Sequence, residues 1–250
     1  MKVSYCSITD PGVTRDHNED FFLNDDKYSL LMVADGMGGY QAGDVASKTA
    51  LSAIIEYLDI CSNQSGKFSL KSYEAAITYA NEKVFKYREK IPEIDMMGTT
   101  FVAFVHSETG GKVFNIGDSR LYIYSNKNLS QITKDHNAQQ ELLPDFMQNA
   151  GDGKYASVLS RALGATEKVY ADIFDVEYNQ DDILLLCSDG LYSMMSDSDM
   201  QEILASDISL NEKCSSLVKK ANDNGGEDNI TVTLIQLDDV TELSTFQMVK

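Results

Sequence analysis

Positive charge is scarce in this chain. Its 250 residues hold 21 lysines and arginines against 39 aspartates and glutamates, a formal net charge of −18 at pH 7. A nucleic-acid binder needs clustered Lys and Arg against phosphates, so no nucleic-acid partner is expected. The same deficit argues against an anionic membrane surface. Cysteine is sparse as well. Cys6, Cys61, Cys187 and Cys214 form no close pair, which is neither a zinc pattern nor a disulfide framework, and reduced thiols are the expected state. No apolar run is long enough to cross a bilayer, and the opening MKVSYCSITD has no apolar signal region. Internal repeats, low-complexity linkers and the P-loop pattern are missing too. The expectation is a cytoplasmic, monomeric protein with no membrane partner.

An apolar share of 43% and a charged share of 24% are ordinary for a globular chain, and the length suits one large domain. Strand-like runs rich in Val, Ile, Phe and Tyr fall at 3–9, 28–34, 99–106, 112–117, 120–125, 170–177, 182–188 and 230–237. FVAFVHSETGGKVFNIG reads as a hairpin turning in SETGG. Helical spacing runs through 44–58, where Val45, Ala46, Ala50, Ala53, Ile54 and Leu58 share a face, and through 70–90, stopped by Pro92. SMMSDSDMQEILAS and SLNEKCSSLVKKANDNGG predict two more helices, the second opened by a Ser209/Glu212 capping box and closed by Gly225 and Gly226. The order of strands, helix pair, strands, helix pair and last strand lacks the alternation of a doubly wound parallel sheet. It predicts an α+β fold: two antiparallel sheets face to face, each covered outside by a helix pair. Segment 135–165, with Pro144 and a Gly/Asp loop, predicts a mobile surface flap.

LLMVADGMGG runs apolar and then turns acidic at Asp35, with three glycines in the next four residues. ILLLCSDGL repeats the device at Asp189, KVFNIGDSR places Asp118 at another strand end, and GGEDNITVTLIQL places Asp228 just before the last strand. A single Asp-Gly is most often only a turn. Four acids, each against an apolar run, can meet where the strand ends of packed sheets converge. Their repulsion would raise their pKa values or demand cations, and oxygen-only ligands select Mg²⁺ or Mn²⁺. Gly36, without a side chain, would let its carbonyl approach a metal. In TDPGVTRDHNED, Arg15 stands beside Glu19 and Asp20, either as a surface salt bridge to one of them or as a fork for a phosphate. A dinucleotide fingerprint fails, because counting from Gly36 and Gly38 puts Gln41 at the third glycine.

In order, TDPGVTRDHNED, VADGMGG, GTTFVAF, NIGDSRLYIY, ITKDHN, LSRALGA, ILLLCSDGLYSMM and EDNITVTLIQL resemble the metal-dependent serine/threonine protein phosphatases, the PPM or type 2C family, in its compact bacterial form. The resemblance spans residues 2–237. It implies a four-layer αββα sandwich in one domain over 1–237, with a flap at about 135–160 and a tail at 238–250. It implies two Mn²⁺ or Mg²⁺ ions bridged by Asp35, with the Gly36 carbonyl on one of them and Asp189 and Asp228 completing the first ion's shell. Asp118, with Asp189 nearby, belongs to a third and weaker site. Arg15 binds the substrate phosphate, and Glu19 and Asp20 hold outer waters. The implied reaction is hydrolysis of phosphoserine or phosphothreonine in proteins by a metal-activated water, opposing a cognate serine/threonine kinase. Asp35, Asp189 and Asp228 are thus the implied catalytic set.

Two departures stand out. Many eukaryotic members carry His after the Asp-Gly, as a proton donor to the leaving group, whereas this chain has Met37, as bacterial relatives often do. In the flap stretch LLPDFMQNAGDGKYAS, Lys154 is the single basic residue. A cysteine-phosphatase mechanism is excluded on spacing, since the positions six after each cysteine are Gly12, Lys67, Ser193 and Lys220, not Arg. His17, His106 and His136 read as structural or exposed rather than catalytic, with His136 the first to test. The non-enzymatic alternative is a pseudophosphatase acting as a regulatory binding module. Its mark would be a lost metal carboxylate, and all four are present.

Overall fold

The computed structural model describes residues 2–38, 42–65, 68–91, 93, 96–107, 110–141 and 158–238. The SETGG turn at 108–109, Pro92, Lys154 with most of the expected flap, and the tail from 239 lie outside these residues. One antiparallel sheet runs in the order β1 (Lys2–Asp10), β11 (Ile230–Asp238), β10 (Ile183–Cys187), β7 (Arg120–Ser125) and β8 (Asn128–Gln131). The other runs β2 (Asp20–Asp25), β3 (Leu30–Gly38), β5 (Phe101–Ser107), β6 (Gly110–Ile116) and β9 (Asp172–Val176), with β4 (Met97–Thr99) pairing the far end of β3. Helices α1 (Ala42–Ser65) and α2 (Leu70–Arg88) cover the second sheet, and α5 (Asp197–Ala205) and α6 (Leu210–Asp223) cover the first. Short turns of helix form at α3 (Ala138–Glu141) and α4 (Asp189–Tyr192). This is the expected αββα sandwich.

The central strands β3 and β10 are largely apolar because both of their faces are covered. Along β3, Leu30, Met32 and Ala34 pack under α1 and α2, while Leu31 and Val33 face the other sheet. Along β10, Ile183, Leu185 and Cys187 meet Cys214 and Leu217 of α6, while Leu184 and Leu186 fill the space between sheets with Phe104 and Ile235. A period of two thus feeds three stacked cores from two sheets.

Local signals hold at the helix ends. The Ser209 Oγ accepts from Glu212 N, and the Glu212 carboxylate accepts from Ser209 N, closing the predicted capping box. Gly226, at φ +52°, donates its N–H to the Ala221 carbonyl and stops α6.

Three strands were absent from the sequence reading: β2, β8 and the three-residue β4. DFFLND of β2 is half polar, and it pairs β3 from Asp20↔Asp35 to Asp25↔Leu30 because tertiary placement outweighs its low propensity. NLSQ of β8 joins β7 through Asn126 and Lys127, both with positive φ, so the hairpin turns on Asn-Lys where Asn-Gly is the usual signal.

Leu186 is fully buried between the sheets, where no neighbour can slide in from solvent. Leu186→Ala should therefore lose about 2–5 kcal/mol of unfolding free energy, read by urea denaturation with an unchanged m-value.

Candidate active site

The strand ends that carry the acids meet on one rim. β3 leaves β5 after the Val33↔Val102 pair and takes up β4 at Gly36↔Thr99, and Asp35 sits at this fork. The sequence reading ended the strand at 34; it continues to Gly38 because β4 supplies a second partner. At the fork the Asp35 carbonyl accepts from Thr100 N at 2.8 Å and Thr99 Oγ1 at 2.9 Å, and Asp35 N donates to Thr100 Oγ1 at 2.9 Å. Thr100 Oγ1 in turn bonds Ser119 Oγ at 2.6 Å, beside Asp118. Asp189 opens α4 directly after β10, and Asp228 precedes β11.

Asp20 is the most deeply enclosed of the acids. It is buried, and its Oδ2 accepts from Ser188 Oγ at 2.6 Å and Thr231 Oγ1 at 2.7 Å. Since Ser188 directly follows β10 and Thr231 lies near the start of β11, one carboxylate ties both sheets together at the rim. Asn229 adds a second tie: its Oδ1 accepts from Glu19 N at 2.8 Å, and its Nδ2 donates to the carbonyls of Pro11 at 2.9 Å and His17 at 3.0 Å. Ser188, Thr231, Thr100 and Asn229 were not singled out from the sequence. Their signal was their place beside the acids, in CSDG, EDNIT and GTTF.

Gly36 has a steric reason the sequence did not reveal. A Cβ there would lie 2.0 Å from the Gly43 carbonyl oxygen and 2.7 Å from that of Glu19. The start of α1 therefore packs on bare backbone, and Gly36 N donates to the Glu19 carbonyl at 3.1 Å. Gly12, with φ +80°, is held as closely, its missing Cβ 2.3 Å from the Asp228 carbonyl oxygen.

The electrostatics are those of crowded, desolvated acids. Burial, then the neighbouring Asp20, Asp189, Asp118 and Asp228, hold the Asp35 carboxyl well above the usual carboxylate range. Burial raises Asp20 to about 8 despite its two hydroxyl donors. Burial and then Asp189 raise Asp118 to about 7. Asp189 is raised by burial and by Asp228. The buried atoms Asp20 Oδ1 and Asp189 Oδ1 have no hydrogen-bond partner among the described residues. Uncompensated oxygen ligands of this kind fit hard divalent cations. No three described acids, histidines or cysteines are already drawn in around one point as a closed metal cage. The fold supplies an open, mutually repelling set.

Arg15 faces this set. Its Nη2 lies 2.7 Å from Asp228 Oδ2 and its Nε donates to the Glu227 carbonyl at 3.4 Å, so it pairs with neither Glu19 nor Asp20 as the sequence reading allowed. The side chain is half exposed. Glu19 is pushed up, chiefly by burial.

The residues that open the expected flap are not surface residues. Asp135, His136 and Asn137 are buried. Asp135 takes a forked pair of bonds from Arg120 Nε and Nη2, at 3.0 Å and 2.7 Å. His136 Nδ1 accepts from Gly117 N at 3.2 Å, and its Nε2 stands 3.2 Å from Asp172 Oδ2. Burial, then Arg161, lower its pKa, so it is a neutral structural histidine. His106 bonds Tyr178, away from the rim. Met37 lies two residues beyond Asp35 in β3 and offers no proton.

The model of the protein phosphatase 2C family matches residues 13–227, a span that holds Asp20, Asp35, Asp118 and Asp189 and ends one residue before Asp228. The chain belongs to the protein phosphatase 2C family. Among its phosphatase relatives, the serine/threonine phosphatase stp of Listeria monocytogenes is 39% identical over 240 residues, covering 92% of this chain and 94% of that protein. The serine/threonine phosphatase PstP/Ppp of Mycobacterium tuberculosis has a structure of TM-score 0.83 at 31% identity, over 95% of this chain and 99% of that one. A second phosphatase structure, the catalytic domain of PstP in complex with 2 manganese ions, has a TM-score of 0.82 at 32% identity, over 95% and 99% of the two chains.

The raised pKa of Asp20 fixes the sign of a stability effect. A carboxyl raised from 3.8 to about 8 on folding binds its proton more tightly in the folded state. That contribution is complete below the unfolded value and is lost as pH rises through the folded one. In chelator, the melting temperature should fall between about pH 5 and pH 8.5. Asp20→Asn keeps an oxygen for Ser188 and Thr231 but removes the charge. It should flatten this slope and melt higher than the parent at the alkaline end; an unchanged slope would place its origin elsewhere.

Proposed function

We propose that this chain hydrolyses phosphoserine and phosphothreonine esters of proteins at a centre of Mn²⁺ or Mg²⁺ ions. The observation that carries the reading is the convergence of Asp35, Asp189, Asp228, Asp118 and Asp20, with buried oxygens unpartnered and Arg15 beside them. The manganese-bound PstP domain supports it from outside. In this reading Asp35, the Gly36 carbonyl, Asp189 and Asp228 hold two ions, and Asp118 with Asp189 holds a third, weaker one. When bound, these cations supply Lewis acidity toward phosphoryl oxygens and lower the pKa of water in the site.

The chain's own residues then have defined tasks. Asp20 locks the ends of β10 and β11 against β2, so that the ligands cannot splay apart under their repulsion. Glu19 holds waters at the edge of the set, and its backbone carbonyl fixes Gly36. Arg15 gives up Asp228 and presents its fork to the substrate's equatorial oxygens, where it offsets charge in the transition state. Met37 and the buried His136 take no part in proton transfer.

In this reading the working unit is a monomer. One domain over 1–237 then carries the activity, and the pairing of β1 with β11 supports it. Four free cysteines suit a reducing cytoplasm, where the enzyme opposes a serine/threonine kinase. No described helix is long and apolar enough to cross a membrane. With every carboxylate in place, a purely regulatory pseudophosphatase is the weaker reading.

Turnover of p-nitrophenyl phosphate and of a phosphothreonine peptide should require Mn²⁺ or Mg²⁺, stop in excess chelator, and return on adding metal. Full activity in chelator would end the proposal. Metal alone should also raise the melting temperature, because the cations relieve repulsion in the folded state only. Arg15→Ala should still show that metal-induced rise. Its kcat/KM should fall by about 2–4 kcal/mol of transition-state stabilisation, the loss of a desolvated charge-assisted contact. An unchanged kcat/KM would return Arg15 to the role of a surface ion pair.

A further inference from the structure

Beside the acidic rim lies a cavity of about 390 Å³ that the reaction above does not use. Its apolar wall is built from Met37, Met96, Leu159, Ala162, Val169 and Tyr170. Met96 and Tyr170 are 57% and 77% exposed, so this wall leaves large apolar groups in water. A volume of this size, lined mostly by apolar groups with a few polar ones at its edge, falls in the range of ligand clefts.

The cavity is joined to the rim by strand geometry. Asp35 and Met37 lie in the same strand, two residues apart and therefore on one face, about 7 Å from each other along the chain. The opposite wall is pinned to the same place: Leu163 and Thr99 exchange backbone hydrogen bonds of 2.9 and 2.8 Å, and Thr99 Oγ1 donates to the Asp35 carbonyl. A missing Cβ at Gly98 would stand 3.0 Å from Met37 Cε and 3.4 Å from Ala162 Cβ, so the floor is already in contact. The step from Asp35 to the cavity-lining Met37 is itself two residues of extended strand.

Charge at the edge fits the same occupant. Arg161 is neutralised by Asp172, at 2.7 Å, and by Glu141. Lys168 is exposed on the cavity's edge, its turn held by Thr166 Oγ1 on the Lys168 carbonyl at 2.9 Å. Lys168 thus offers a cation at the cavity's edge and Arg15 one at the rim, charges that suit a phosphorylated peptide better than a neutral apolar ligand.

We propose that this cavity is the subsite for an apolar side chain two residues from the phosphorylated serine or threonine, of the size of Leu, Met or Phe. The proposal rests on the phosphatase reading and adds the substrate's sequence preference to it. An extended phosphopeptide places its phosphate at the rim, and its next same-face side chain enters beside Met37, covered by Met96 and Tyr170. Closing these exposed groups around it removes apolar surface from water.

The test uses the full chain with Mn²⁺ and phosphothreonine peptides with Leu, Gly or Glu two positions before or after the phosphorylated residue. The Leu peptide of one direction should exceed its Gly counterpart about tenfold in kcat/KM, mostly through KM. Met96→Ser with Tyr170→Ser, both at exposed positions, should abolish that preference and leave p-nitrophenyl phosphate turnover within about twofold. Equal rates for Leu and Gly peptides in both directions would overturn the subsite. So would a Leu preference that survives in the double variant, or an equal loss on p-nitrophenyl phosphate and peptide. Absence of any turnover by the unaltered chain would instead remove the phosphatase reading itself, and the subsite with it.

Discussion

Like charges are held together at the rim against their own repulsion, and the rest of the structure is arranged around that constraint. Asp35 feels four neighbouring aspartates in a place water reaches poorly, and Asp20 and Asp118 are raised to about 8 and about 7. Left on flexible loops, such groups would move apart into solvent. Here they are fixed by backbone: Asp35 in a strand shared between two partners, Asp189 at the end of a fully buried strand, Asp228 one residue from another. The hydroxyls of Ser188, Thr231, Thr99 and Thr100 and the amide of Asn229 complete the clamp. The backbone thus keeps the acids near one another, while their side chains stay an open set, with no three described acids, histidines or cysteines yet drawn in around one point.

The three apolar layers supply the rigidity. Because the sheets bury residues on both faces, each strand end is anchored by the core above it and the core below it. The rim inherits its precision from that packing rather than from hydrogen bonds alone. Arg15 stands at the edge of the described site, its half-exposed guanidinium paired with the Asp228 carboxylate. The neighbouring cavity shows the converse arrangement. Its walls are fixed by the Thr99–Leu163 pairing, yet its large side chains stand open.

Much of this was legible in the sequence, and the reasons differ from residue to residue. Asp35, Asp118, Asp189 and Asp228 were legible because each breaks an apolar run abruptly, and strand ends in packed sheets have few places to go. The capping box of α6 was legible because Ser209 and Glu212 satisfy each other locally. Strands β2 and β8 were not legible, since DFFLND is half polar and the hairpin of β8 turns on Asn-Lys. Asp135 and His136 read as the start of a surface flap because they are polar and followed by Pro and Gly. They are buried because Arg120, Gly117 and Asp172 reach them from strands distant in sequence.

The sequence by itself determined the fold class, the layer order, the acids of the site and the absence of a basic surface, because periodicity, composition and local turn chemistry are short-range properties. Only the tertiary structure decided which partner each of these groups has. Arg15 pairs with Asp228, more than two hundred residues away, and not with its chain neighbours Glu19 and Asp20. Gly36 is required by the closeness of Gly43 and Glu19, a contact between a strand and the start of a helix. The protonation of Asp20, likewise, is set by burial between two sheets. Contacts of this kind depend on how layers stack, and desolvation depends on everything that surrounds a group, so neither is written in any single stretch of chain.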